Sequence, residues 1–179
     1  MTLPLLLTLT LLAVSAAGGL ADLRTRRIPN WLNLSGFILG IGLNTFFQHG
    51  SGLRLALLGF GLALLIYLPL YLIRAMGAGD VKFMAAMGAI VGPENWLTLF
   101  LITAVFGGVA SLCLVIVRGR LHLTLENLST ITTELLHGRM PYHKDPSLDV
   151  HDADAVGLPH GASVAIASML WLAFGHHGA

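Results

Sequence analysis

The sequence predicts an all-α integral membrane protein, a polytopic bundle of about six transmembrane helices with an amphipathic helix on the cytoplasmic surface. Of the 179 residues, 55% are hydrophobic and 11% are charged, whereas charged residues make up roughly 25% of an ordinary soluble domain. Apolar segments recur along the chain, and several approach the roughly 20 residues that a helix needs to cross a bilayer. The basic residues gather in the connections between these segments.

Charge and cysteine content exclude other classes of protein. The formal net charge is only +1, and nucleic-acid binding needs Lys and Arg clustered on one face, so we expect no nucleic-acid partner. Cys113 is the single cysteine, which rules out a disulfide or a cysteine-based zinc site within one chain. We expect one membrane-embedded domain over residues 1–179, with a core at 3–117, a cytoplasmic part at 118–157 and a last helix at 158–175.

The first apolar segment, residues 3–21, carries no charge and is long enough to cross the hydrocarbon core. A cleaved signal peptide is the alternative, since small residues end the segment. We favour a retained helix because the basic cluster of Arg24, Arg26 and Arg27 follows the segment, whereas a signal peptide carries its basic residues in front.

A turn at residues 28–30, Ile-Pro-Asn, separates the first segment from the second at 31–47. Proline lacks an amide hydrogen and fits the first turn of a helix, so a helix should begin near residue 31. Gly36 and Gly40 have the spacing of a small-residue face, which suits close helix packing within the chain or in a dimer.

Four more apolar segments follow the second, at residues 55–73, 83–91, 96–117 and 159–174. The segment at 83–91 is too short to cross a bilayer unless neighbouring helices or local thinning help it. Pro93 and Glu94 follow this segment and end it.

The basic residues also predict the orientation, because Lys and Arg accumulate in cytoplasmic loops. With the amino terminus outside, nine of the ten fall on the cytoplasmic side and Arg54 alone lies outside. The nine are Arg24, Arg26, Arg27, Arg74, Lys82, Arg118, Arg120, Arg139 and Lys144. Asp22 and Asp80 then share the cytoplasmic boundary, at the end of the first segment and the start of the fourth.

Residues 121–136 predict an amphipathic helix on the cytoplasmic surface. Apolar side chains recur there with helical spacing, at Leu121, Leu125, Leu128, Ile131 and Leu135. Such a helix lies with its apolar face in lipid or against the bundle. A polar loop is expected to follow it at 144–156.

Asp22 and Asp80 are the candidate catalytic residues. In the first hundred residues only Glu94 is a further carboxylate, and a charge at membrane depth costs at least ~2.5 kcal/mol, so acids there are usually functional. Two carboxylates held close cannot both ionise cheaply and share a proton. One then takes a proton from water while the other polarises the scissile carbonyl, which predicts aspartic protease chemistry without a metal.

The glycines beside Asp80 suit the approach of a substrate. Gly77 and Gly79 can adopt positive φ and allow a backbone to come close, so we expect an extended substrate to lie along residues 77–80. Lys82 would balance the local charge or meet lipid headgroups.

Together these motifs resemble those of the type IV prepilin peptidases, the polytopic GxGD aspartyl proteases of membranes. The resemblance is carried over residues 3–117 by Asp22 with Ile28-Pro29-Asn30, and by Gly77-Ala78-Gly79-Asp80-Val81-Lys82 before a short apolar segment. Leu158-Pro159-His160-Gly161 is a weaker match, similar to the start of that family's last helix.

The resemblance implies removal of a short basic leader from prepilins or pseudopilins, usually just after a glycine, at the cytoplasmic face of the bacterial inner membrane. Asp22 and Asp80 would be the catalytic pair. The supporting motif residues would be Gly77, Gly79, Lys82, Ile28, Pro29 and Asn30. The implied partners are the prepilin, membrane lipid and pilus assembly machinery, and the oligomeric state stays open.

Larger members of that family carry an amino-terminal cytoplasmic domain with paired cysteines and also methylate the new amino terminus. Here about two residues precede the first apolar segment, as in the short peptidases that the chain resembles, those of tight-adherence (Flp) pilus and secretion systems. We therefore expect cleavage without methylation, and no S-adenosylmethionine or other cofactor.

Other interpretations remain open at the level of sequence. Asp22 alone is compatible with a solvated acid among arginines, and Asp80 alone with the cap of a helix that begins near Val81. The whole chain is compatible with a transport or proton-conducting subunit, or with a structural subunit of an assembly apparatus. Both acids lie at one boundary, which argues against a conduction path.

A metal site is a further alternative, in the carboxyl-terminal acids and histidines. These residues are His143, Asp145, Asp149, His151, Asp152, Asp154 and His160. Zinc sites need fixed spacing, whereas this stretch is typical of a solvated acidic loop that meets a basic leader peptide. We therefore predict no metal.

Overall fold

The chain forms five α-helices within residues 3–139 and 159–175, which are the residues that a computed structural model describes. The helices are α1 Leu5–Thr25, α2 Asn30–Leu72, α3 Ala78–Val117, α4 Leu121–Leu136 and α5 His160–Gly175. No β-strand occurs in the described ranges, so the all-α prediction is confirmed. By length and composition α1, α2 and α3 could each cross a membrane, and α5 is a shorter apolar helix.

Helix α2 reverses direction at His49. A straight helix of 43 residues would be about 65 Å long, roughly twice the thickness of the hydrocarbon core. His49 has φ 53° and ψ −132°, which is not helical, and a Cβ built on Gly52 would collide with the carbonyl group of Asn44. Asn44 and Gly52 are eight positions apart and would lie about 12 Å apart along a continuous helix. The chain therefore folds back, and α2 consists of two helical segments.

Helix α3 also reverses, at Gly92, where φ is 75° and ψ is 172°. Glycine adopts this conformation readily, and Pro93 follows it. The indole N–H of Trp96 donates to the carbonyl oxygen of Met84 at 3.0 Å although the residues are 12 positions apart. They would be about 18 Å apart along a continuous helix. The predicted break between segments 83–91 and 96–117 is confirmed.

The first segment of α3 is the centre of the bundle. Every residue from 83 to 92 is buried. Of the helix pairs, α2 and α3 share the most extensive contact, and α1 and α5 also pack on α3. A helix that is apolar on all sides is stable only when protein or lipid surrounds it. The neighbouring helices supply these surroundings, which explains why so short a segment is accommodated.

Glycines permit the closest contacts between helices. Gly59 of α2 and Gly88 of α3 face each other so closely that a Cβ on either would collide with the backbone of the other. A Cβ on Gly40 would lie 2.7 Å from the carbonyl carbon of Ala89, and one on Gly36 would lie 3.1 Å from a side chain of α1. The small-residue face predicted in α2 is therefore used for packing within the chain.

Helix α1 extends beyond the predicted end of the first segment. It continues from residue 21 to Thr25, so Asp22 lies inside the helix and not after it. The helix ends at Arg26, which has the left-handed φ of 54° and donates its N–H to the carbonyl oxygen of Asp22. The prediction used hydrophobicity, which falls after residue 21, whereas the backbone hydrogen bonds of the helix continue to Arg26.

Helix α4 has the predicted bounds, Leu121–Leu136, and most of its side chains are exposed. Its contact with the bundle is made to α3. The predicted polar loop at 144–156 lies outside the described residues.

We expect Gly88→Ala to lower the free energy of unfolding by about 1–3 kcal/mol, because the added Cβ separates α2 from α3. Thermal unfolding of the purified protein in detergent micelles measures this. Gly61→Ala is the matched control, since a Cβ on Gly61 would meet nothing within 4 Å. Equal melting temperatures for the two variants would contradict the packing described here.

Candidate active site

Asp22 lies on α1, one turn before the helix ends, and its side chain is buried at 6% exposure. Its Oδ2 accepts the backbone N–H of Gly161, the second residue of α5, at 2.8 Å. The first N–H groups of a helix have no partner within it, and they carry partial positive charge. Asp22 therefore caps α5, and its interpretation as a solvated acid is wrong.

Glycines bring α1 and α5 together around Asp22. A Cβ on Gly161 would lie 3.0 Å from the Cβ of Asp22 and 3.1 Å from the carbonyl oxygen of Gly18. A Cβ on Gly19 would lie 2.8 Å from that of Ala165. Sequence reasoning missed these roles because the contact joins residues 139 positions apart. The motif that includes Gly161 was noticed, but nothing in the sequence indicated its partner.

Asp80 is the third residue of α3 and lies in its first turn, with Gly77 as the N-cap residue. The carbonyl oxygen of Gly77 accepts the backbone N–H of Asp80 at 3.2 Å and that of Val81 at 3.3 Å. The expectation that a helix begins near Val81 is wrong, because these bonds and the extended Gly77 start the helix at Ala78. Asp80 therefore belongs to the first turn of α3.

The helices that carry the two aspartates meet one turn further into the bundle than the acids, where a Cβ on Gly18 would lie 2.5 Å from the ring of Phe83. Gly18 precedes Asp22 by about one turn and Phe83 follows Asp80 by about one turn. The contact that Gly18 permits therefore holds the two acids at the same end of the bundle.

Gly77 and Gly79 do not adopt the positive φ that glycine permits. Gly77 is extended, with φ −76° and ψ 148°, and Gly79 lies in the first turn of α3. The described glycines with positive φ are Gly92, Gly119 and Gly138. A Cβ on Gly77 would lie 3.4 Å from Oδ2 of Asp80, and one on Gly79 would lie 3.8 Å from the carbonyl oxygen of Ile28, which are ordinary contacts. The fold itself therefore has room for a side chain at both positions.

The turn at residues 28–30 lies beside the start of α3. Ile28 is buried, and its backbone and Cβ would be the atoms nearest to a Cβ built on Gly79. Pro29 is the N-cap residue of α2, and Asn30 is the first residue of that helix. The predicted turn is confirmed, and the helix begins one residue earlier than expected.

Two asparagines connect α2 to this segment. Lys82 donates from Nζ to Oδ1 of Asn30 at 3.2 Å, so the two sequence motifs contact each other. Asn33 is buried and donates from Nδ2 to the carbonyl oxygen of Gly79 at 3.4 Å. Sequence reasoning missed Asn33. A polar residue within an apolar segment, one turn after Asn30, was the available signal.

No group of three or more His, Cys, Asp or Glu side chains that could hold a metal ion occurs among the described residues. His160 begins α5 and lies beside Tyr67. The other residues of the alternative metal site lie outside the described residues. These are His143, Asp145, Asp149, His151, Asp152 and Asp154.

Comparison with known proteins gives one family. A family model described as the type IV leader peptidase family matches residues 5–112, which is more than half of the 179-residue chain. The matched region includes both aspartates and the motifs at 28–30 and 77–82. Neither the curated proteins nor the solved structures contain a match.

We expect Asp22→Ala to lower the free energy of unfolding by about 1 kcal/mol, because it leaves the N–H of Gly161 without its acceptor. Asp22→Asn keeps an acceptor oxygen and should lose less. Thermal unfolding in detergent micelles measures both, with Leu23→Ala as the control at an exposed neighbouring position. If Asp22→Ala melts at the wild-type temperature, Asp22 does not cap α5.

Proposed function

The chain belongs to the type IV leader peptidase family, and from this premise we propose that it cleaves prepilin leaders as an aspartic endopeptidase, with Asp22 and Asp80 as the catalytic pair. Family membership itself implies a peptidase with prepilin-type substrates. The observation that carries the proposal is the convergence of these two aspartates at one end of the bundle, where the contact of Gly18 with Phe83 joins their helices.

In the proposed reaction the two carboxylates share one proton. The ionised carboxylate accepts a proton from water as the water oxygen attacks the scissile carbonyl, and the protonated carboxylate donates a hydrogen bond to the carbonyl oxygen. The tetrahedral intermediate then collapses, the C–N bond breaks, and the leaving amine takes a proton from the pair. The bond to the N–H of Gly161 orients the Asp22 carboxylate, and Asp80 is held in the first turn of α3.

The substrate backbone lies against the start of α3 in this proposal. Gly77 and Gly79 support it, because the protein makes no packing use of their missing side chains. Both residues are half-buried beside Asp80. Glycine at such positions leaves space for an extended peptide to approach the reacting groups closely.

The proposed topology has six membrane crossings, made by α1, by the two segments of α2, by the two segments of α3 and by α5. Exposed residues in the middle of these helices are apolar, as a lipid-facing surface requires, and they include the large side chains of Leu65 and Val105. Nine of ten basic residues would then lie on the cytoplasmic side, which supports the proposal that the aspartates lie at the cytoplasmic face of the inner membrane.

The proposed place of α4 is the cytoplasmic surface of that membrane. Its exposed leucines, including Leu121, Leu125 and Leu128, would rest in the interface. The substrate in this proposal is a prepilin or pseudopilin of a tight-adherence (Flp) type system, with a basic leader that ends in glycine. Methylation of the new amino terminus is not part of the proposal.

We expect Asp22→Asn and Asp80→Asn each to lower cleavage by roughly 10²- to 10⁴-fold, because asparagine keeps the shape of the side chain and removes its ionisation. Each variant is co-expressed in membranes with a tagged prepilin, and the mass lost with the leader is measured. Glu94→Gln is the control, since Glu94 is an exposed acid that lies directly after the Gly92 reversal. Normal processing by both aspartate variants would overturn the catalytic assignment and favour a transport or assembly role.

We expect Gly79→Ala to lower cleavage by about tenfold without changing the melting temperature, because its Cβ has room in the protein and obstructs the substrate. The contrasting variant is Gly18→Ala, whose Cβ collides with Phe83 and should lower the melting temperature. Wild-type cleavage by Gly79→Ala would show that the substrate does not lie along this segment.

A further inference from the structure

Tyr67 and His160 lie beside the aspartate pair and belong to neither of its motifs. Tyr67 is near the end of α2 and only 2% exposed, and His160 is the first residue of α5. The Tyr67 hydroxyl oxygen and His160 Nε2 are 3.4 Å apart, across 93 positions of sequence. Their ring centroids are 5.7 Å apart. This polar contact joins α2 to the amino terminus of α5.

Each member of this pair is connected to the helix end that carries one of the aspartates. His160 directly precedes Gly161, whose N–H donates to Asp22 at 2.8 Å. Tyr67 packs on Trp96, whose indole N–H donates to Met84, about one turn after Asp80 on α3. The contact between Tyr67 and His160 therefore links the helix terminus that holds Asp22 to the surroundings of Asp80.

Packing fixes the direction of the Tyr67 side chain. Its ring meets those of Trp96 and Phe100 edge to face, at centroid distances of 6.1 and 5.9 Å. Trp96 and Phe100 stack on each other at 5.4 Å, and Trp96 is hydrogen-bonded to Met84 in the central segment. A phenylalanine ring at this position would make the same aromatic contacts. A buried hydroxyl costs free energy unless it has a partner, so the Tyr67–His160 contact is what the hydroxyl adds.

On the premise of the proposed function, we propose that Tyr67 and His160 form a positioning pair, which holds the amino terminus of α5 so that Asp22 faces Asp80. Neither residue needs to touch the substrate, because both act through the aspartates. Misplacement of a reacting group by about 1 Å can cost as much as 10²-fold in rate. Loss of the contact would let α5 shift, and Asp22 would move with it.

The test measures kcat and KM of purified protein in detergent micelles, with a tagged prepilin whose basic leader ends in glycine. Tyr67→Phe and His160→Phe keep both rings and remove the polar contact. Each should lower kcat about tenfold and leave KM within about twofold, since substrate binding is untouched. The double variant should be no slower than the slower single variant, because either substitution alone breaks the contact.

Two further variants complete the design. His160→Gln, whose amide can occupy the position of Nε2, should recover part of the lost kcat. Tyr71→Phe removes the hydroxyl of an exposed tyrosine one turn further along α2 and should keep the wild-type kcat. Activity is expressed per folded molecule, with thermal unfolding as the measure of folding.

The outcomes distinguish the positioning pair from the proposed peptidase function on which it rests. Single variants with kcat within about twofold of wild type, a double variant whose loss is the product of the single losses, or losses that vanish per folded molecule would each overturn the positioning pair. If the wild type does not cleave, or if Asp80→Asn cleaves as well as the wild type, the proposed function itself fails. Wild-type cleavage that depends on Asp80 but not on Tyr67 rejects the positioning pair alone.

Discussion

The rest of the site depends on the bond between the Asp22 carboxylate and the amino terminus of α5. A buried carboxylate is costly without donors, and the first N–H groups of a helix are costly without acceptors. The N–H of Gly161 donates to Oδ2 of Asp22 at 2.8 Å, which satisfies both groups. Gly18 and Gly161 allow the two helices to come close enough for that bond, since a Cβ on Gly161 would crowd the carbonyl group of Gly18.

The number of chain reversals explains why the two aspartates are at the same end of the bundle. After Asp22 the chain runs away along the first segment of α2, reverses at His49, and returns along the second segment. Helix α3 therefore starts, with Asp80, at the end where α1 finished. The aromatic cluster of Tyr67 and Trp96 then joins the returning segment of α2 to both halves of α3.

The sequence predicted the features that depend on local composition, and it could not predict the contacts between distant residues. Apolar length and the residues Pro29 and Pro93 identified the segments and their breaks, because hydrophobicity and backbone restrictions are local properties. The prediction gave only the apolar part of α1, because hydrophobicity ends at residue 21 while the hydrogen bonds continue to Arg26. Both aspartates were found by their rarity in apolar surroundings. The bond between Asp22 and Gly161 bridges 139 positions that carry no pattern linking the two residues.

The burial of residues 83–92 also has a consequence for how the protein is made. The segment of α3 before Gly92 would span only about 21 Å, less than the roughly 30 Å of the hydrocarbon core. Its side chains face protein on every side, so it gains its stabilisation only after α2 is in place. Membrane insertion of this stretch during synthesis therefore depends on partners that precede it in the chain. Substitutions at Gly59 or Gly88 should therefore lower the amount of protein in the membrane more than they lower the activity of each inserted molecule.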